Sequence, residues 1–122
     1  PDARMAAEAA HCAGDQEKYW EMHDTLFAHQ GAKNPDTLNS LAGEIKLDLN
    51  TFQDCLDNGK YQQAVSEHLA AGAAAGVNGT PGFFIGKTQK DNTIVATALK
   101  GAQPAAVFSQ VIDSLLEEKA TP

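Results

Sequence analysis

The chain reads as an α+β protein, mostly helical, and three observations carry that expectation. Apolar residues recur at helical spacing through residues 2–75. The period then changes, because Gly82-Phe83-Phe84-Ile85-Gly86 and Thr93-Ile94-Val95-Ala96-Thr97 are short apolar or β-branched runs. Helical spacing returns after Pro104 with Val107, Phe108, Val111, Ile112 and Leu115. At 122 residues the chain fits one structural domain. By pattern it divides into a helical portion, 1–75, and a ββα portion, 76–122.

Each element has its own signal. Asp2 is placed to cap a first helix on which Met5, Ala6, Ala9 and Cys12 or Ala13 recur, ending at Gly14. Asp15 is expected to cap a second helix with Tyr19, Trp20, Met22, His23, Leu26 and Phe27, stopping near Gly31. Trp20, Leu26 and Phe27 are its expected share of the core. Asn34-Pro35 joins an N-cap to proline at the first helical position and opens a third helix with Leu38, Leu41, Ala42 and Ile45. Asp48 or Asn50 starts a fourth, carrying Phe52, Cys55 and Leu56 and closed by Asn58-Gly59. Residues 60–75 read as a fifth, through Tyr61, Ala64, Val65, His68 and Leu69, closed by Gly76. The glycine-bounded run 82–86 suits a buried strand, and residues 87–92 a turn into the second strand. A two-stranded hairpin is marginal alone and its edge invites another strand, so the pattern calls for further structure in front of Pro1.

Composition narrows the function. Nine basic against sixteen acidic residues give a net charge of −7, which excludes nucleic acid or an anionic membrane as the main partner. A hydrophobic share of 43% with 20% charged residues excludes a disordered chain. The apolar content is heavy in Ala and only 7% of the chain is aromatic, so any core leans on a few large side chains. No apolar run approaches the ~18 residues of a membrane span, and a soluble chain without a membrane span is expected. Pro1-Asp2 opens without an initiator Met or a signal-peptide pattern, as a mature protein or a fragment would.

The segment from Gly76 to Gly82, with Asn78, Gly79, Thr80 and Pro81, is the strongest local signal. It runs from helix into strand, the reverse of a phosphate-cradling loop, and Pro81 removes a donor. Two readings remain for Thr80-Pro81: an ordinary turn with a trans proline, or a cis bond. Asn78-Gly79-Thr80 matches a glycosylation sequon, a chance match if the loop is buried. Cys12 and Cys55 can be buried apolar residues or ligands, but no Cys-x-x-Cys or His-x-x-x-His spacing is present. No metal and no cofactor are therefore expected. His23 and His29 are expected to diverge, and so are the adjacent His23 and Asp24, which argues against an acid/base pair.

Gly79-Thr80-Pro81-x-Phe83-Phe84-Ile85, the hairpin, and Gly101-Ala102-Gln103-Pro104 opening a terminal helix together resemble the C-terminal half of DsbA-like thioredoxin-fold proteins. His11-Cys12-Ala13, the run Gln16-x-Lys18-Tyr19-Trp20-x-Met22-His23-Asp24-x-Leu26-Phe27, and Phe52-x-x-Cys55-Leu56-Asp57-x-Gly59-Lys60-Tyr61 agree with that family. The resemblance covers nearly the whole chain. It implies a thioredoxin-like fold in which the helices form a capping insertion. The family's front βαβ unit, with its Cys-x-x-Cys, would precede Pro1 and is not in this chain.

The resemblance further implies a cis Thr80-Pro81 bond beside the redox pair. Gly79, Thr80 and Pro81 become the substrate-binding candidates, with the Thr80 backbone pairing to an extended peptide. The implied activity is that of a portion of a thiol-disulfide oxidoreductase or isomerase acting on protein thiols and disulfides. Without a Cys-x-x-Cys the chain offers no catalytic residue of its own. A redox-inactive peptide-binding module of the same fold is the alternative. Some relatives of this kind carry a second, non-catalytic cysteine pair in the insertion, which adds a structural Cys12–Cys55 disulfide to the readings above. The implied location is periplasmic or otherwise extracytoplasmic. Phe83, Phe84, Ile85, Val107, Phe108 and Ile112 would leave an apolar face, a route to self-association through hairpin and last helix.

Overall fold

A computed structural model describes residues 2–118. Within them run α1 (Asp2–Gly14), α2 (Tyr19–Ala28), α3 (Pro35–Glu44), α4 (Leu49–Asp57), α5 (Gln62–Ala74), β1 (Gly82–Thr88), β2 (Ile94–Lys100) and α6 (Ala105–Glu117). The class is α+β and mostly helical, in the order that the periodicity predicts. The chain forms two compact units, Pro1–Ala71 and Gly72–Pro122. At the start of the second, the Val77 N–H donates to the Gly72 carbonyl at 2.9 Å and ties the last turn of α5 to the loop that follows. Gly76, at φ +89°, makes that reversal without a side-chain penalty.

In the helical unit, two of the expected caps form. Asn34 Oδ1 accepts the Thr37 N–H at 2.9 Å, and Asp48 Oδ1 accepts the Thr51 N–H at 2.9 Å. Asp2 and Asp15 do not cap. Asp2 Oδ2 instead accepts the Lys33 N–H at 3.1 Å. The Asp15 carboxylate is taken by Lys60 and Tyr61, and α2 starts four residues later, behind a turn in which Glu17 adopts φ 61°.

The core of this unit gathers Ala9, Ala13, Met22, Leu38, Ala42 and Phe52, all fully buried, together with Cys12 and Cys55. The alanines of α1 let α2, α3 and α4 pack onto it closely, and Phe52 and Met22 supply the bulk that alanine cannot. Trp20 and Phe27 are not in this core; they are 67% and 73% exposed. The helix α2 carries two stripes at helical spacing. Tyr19, Met22 and Leu26 face the core, which leaves Trp20, His23 and Phe27 on the neighbouring, open side.

In the second unit, β1 and β2 pair antiparallel from Gly82 opposite Lys100 to Thr88 opposite Ile94. Both strands outrun the expected segments: β1 continues through Lys87 and Thr88, opposite Val95 and Ile94, and β2 continues through Ala98, Leu99 and Lys100, opposite Phe84, Phe83 and Gly82. A side chain at Gly86 would strike the Val95 carbonyl and Ile94, so this position needs glycine. On one face α6 packs against β1, with Phe83 and Phe108 edge to face at 4.9 Å. The buried strand expected at 82–86 is not found: no residue of β1 or β2 is buried. One helix lies on one face of the hairpin, against β1, and Phe84 stands exposed.

Candidate functional site

The loop from Val77 to Gly82 is held at both ends. Val77 is tied to Gly72, and the Pro81 carbonyl accepts the Gly101 N–H at 2.9 Å, one step before the Gly82–Lys100 pair begins the ladder. Thr80–Pro81 is cis. Gly79, Thr80 and Pro81 all lie exposed, so burial gives no reason to discount the sequon that ends at Thr80. The three candidates line one open depression of about 370 Å³. Val77, Phe83, Phe84, Ala98 and Leu99 give it apolar walls, and Lys100 is its one charged side chain. Among the described residues, no backbone–backbone hydrogen bond engages the N–H or C=O of Thr80. Such a site can receive an extended peptide by main-chain pairing, with apolar side chains against the walls. Its lining contains no thiol, carboxylate or imidazole.

Cys12 and Cys55 belong to the helical unit and are bonded to each other, S–S 2.06 Å with Cα atoms 5.9 Å apart, joining α1 to α4 across 43 positions. Neither is left to bind a metal. Beside the bond lies a polar cluster that the motifs did not single out. Lys60 Nζ sits 2.6 Å from Asp15 Oδ2, and the Tyr61 hydroxyl donates to Asp15 Oδ1. The His11 ring stacks on Tyr61 at 5.0 Å and lies 5.6 Å from Tyr19.

The hydrogen bond from Lys60, then that from Tyr61, holds the Asp15 carboxyl below its ordinary 3.8. The same carboxylate raises Lys60 and Tyr61, so both keep their protons. A depressed folded-state value gives Asp15 a stabilising contribution above 3.8, lost as the pH falls through that lower value. Exposure and salt keep the contribution small. One sequence signal could have located the cluster: Asp15 follows Cys12 by three positions and Lys60 follows Cys55 by five, so bonding the cysteines brings them together.

His23 and Asp24 do meet, against the expectation that neighbours diverge. Their side chains are exposed, and Nδ1 lies 3.0 Å from Oδ1. Among the described residues no helix is long and apolar enough to cross a membrane.

A family model described as thioredoxin matches residues 1–103. Three curated relatives are named as antiporters. The Na(+)/H(+) antiporter NhaA 1 of Salinispora arenicola (strain CNS-205) is 38% identical over 106 residues, 87% of this chain and 16% of that protein. The Na(+)/H(+) antiporter NhaA 3 of Salinispora tropica is 36% identical over 109 residues, 89% of this chain and 17% of its own length. The Na(+)/H(+) antiporter NhaA of Herminiimonas arsenicoxydans is 33% identical over 85 residues, 70% and 14% respectively. The chain thus spans about a sixth of the length of these relatives. No solved structure gives a significant match.

Proposed function

The chain belongs to the thioredoxin family, and on that premise we propose that it supplies the peptide-binding loop and helical cap of a DsbA-like thiol-disulfide oxidoreductase acting on protein disulfides. The six helices and two-stranded antiparallel sheet among the described residues are consistent with a thioredoxin-like α+β fold. One observation carries the reading: the exposed Gly79-Thr80-Pro81 loop, its Thr80 backbone unpaired, over an apolar depression. In this reading a thiolate supplied from elsewhere in the polypeptide attacks a substrate disulfide, while the loop holds the flanking peptide extended. The Cys12–Cys55 bond supports a periplasmic or other extracytoplasmic setting, where such bonds persist.

Titration of the labelled chain with an unstructured apolar peptide bearing an alkylated cysteine tests this. Amide shifts are expected at residues 79–83 and 99–101, and Val77→Asp, which places a charge in the wall, should weaken binding by roughly tenfold. Absent binding, or shifts confined to the helical unit, would refute the reading.

A second reading rests on the antiporter relatives: a thioredoxin-fold module carried beside a Na(+)/H(+) antiporter in one longer polypeptide, binding peptide without redox chemistry. Coverage of 70–89% of this chain against 14–17% of theirs favours it. The reading frame upstream of the chain decides between the two: a Cys-x-x-Cys there supports the oxidoreductase, and antiporter sequence joined to this chain without one supports the module.

We also propose self-association through the hairpin and α6. Of the expected face Phe83, Phe84 and Ile112 are exposed while Ile85, Val107 and Phe108 are half-buried; Ile94, Val95 and Leu116 add to it, and together they are more apolar surface than a lone unit of this size ordinarily shows. Light scattering at about 100 μM should give a dimer or larger species; a monomer with protected hairpin amides would overturn this.

A further inference from the structure

The two sulfurs of the disulfide are not equivalent. Cys12 is 1% exposed within the helical core. Cys55 is 9% exposed and opens on a shallow concavity lined by Asp15, Thr51, Asp54, Asn58 and Lys60. An attacking thiolate must reach a sulfur directly, and Cys55, which lines this concavity, is the less covered of the two. A cation beside a cysteine ordinarily raises its reactivity, by drawing in the thiolate and stabilising negative charge on sulfur. Lys60 is such a cation, but its ammonium is bound to Asp15 Oδ2, and that same oxygen lies 4.0 Å from Cys55 Sγ. Tyr61 donates to the other carboxylate oxygen and fixes the pairing.

We propose that Cys55 is the point of entry for thiol exchange with this disulfide, and that Asp15 silences it by neutralising Lys60. With glutathione as reductant, the glutathione thiolate attacks Cys55 Sγ. A glutathione–Cys55 bond forms as the Cys12–Cys55 bond breaks, and Cys12 leaves with the electron pair and takes a proton from water. A second glutathione thiolate attacks the glutathione sulfur of the mixed disulfide and releases Cys55. The protein disulfide gains two electrons, and two glutathione molecules become one oxidised dimer. The first step places charge on Cys12, in apolar surroundings that disfavour a thiolate, so the exchange is slow from the accessible side and blocked from the other. The bond is thereby insulated from the thiol chemistry of its surroundings. This inference does not rest on the peptide-binding reading.

The experiment follows reduction of the whole folded chain by glutathione at fixed pH, with alkylation and mass spectrometry locating the adduct. The first adduct should lie on Cys55. Asp15→Asn should be reduced about fivefold faster, because Lys60 is then unpaired beside the sulfur. Lys60→Gln should react no faster than the native chain. The double variant Asp15→Asn/Lys60→Gln should return close to the native rate, and added salt should slow Asp15→Asn alone. An adduct on Cys12 or an unchanged rate in Asp15→Asn would overturn the proposal. So would a double variant as fast as Asp15→Asn, since loosened packing survives loss of Lys60 and electrostatic unmasking does not.

Discussion

Replacing Cys12 and Cys55 together by alanine is expected to lower the stability of the helical unit by about 4 kcal/mol. The bond closes a loop of 43 positions between α1 and α4, and in the chain-entropy view a closure of that length removes much of the freedom of the unfolded chain. The surrounding core makes the loss hard to absorb. Its α1 contribution consists of Ala9, Ala10 and Ala13, whose burial stabilises little per residue. Urea unfolding followed by far-ultraviolet circular dichroism should place the midpoint of the double variant about 2 M lower, for a slope near 2 kcal/mol per molar. Reduction of the native chain should reproduce the shift without any substitution. A loss below about 1 kcal/mol would mean that α1 is held to α4 by packing alone, and that the bond contributes chiefly after folding.

The sequence discloses this architecture unevenly, and the reasons are local. Asn34-Pro35 and Asp48 announce their helices because the capping group and the N–H it binds lie three residues apart. Asp15 carries the same cue and does something else, since its partners Lys60 and Tyr61 are 45 and 46 positions away. No local rule weighs a cap against a charge that distant. Helical spacing likewise places Tyr19, Trp20, Met22, His23, Leu26 and Phe27 on a helix, but two stripes satisfy it, and only tertiary packing selects the one with Met22. The hairpin was legible from β-branched and aromatic runs, whereas burial of its strands depends on what covers them. The loop at residues 79–81 is a different case: the chemistry of Gly79, Thr80 and Pro81 alone left two isomers open, and their place between spaced family motifs singled them out. The Asp15–Lys60–Tyr61 cluster needed the disulfide first.

The choice between the two stripes of α2 can be measured against the largest buried side chain of the unit. Phe52→Ala is expected to cost about 3–5 kcal/mol, the range for removing a fully buried aromatic ring. The upper part of that range applies here for a structural reason. The ring sits in a core whose other members include Ala9, Ala13 and Ala42, side chains too short to reach into the space it would leave, and the Cys12–Cys55 bond limits how far α1 and α4 can collapse together. Trp20→Ala removes a larger side chain but one that is mostly in solvent, and is expected to cost no more than about 1 kcal/mol. Urea midpoints of the two variants, taken with unchanged slopes, give the comparison directly. If Trp20→Ala proves the more damaging, the stripe of Trp20, His23 and Phe27 is covered in solution, and that face of α2 is an interface rather than a solvent-facing surface.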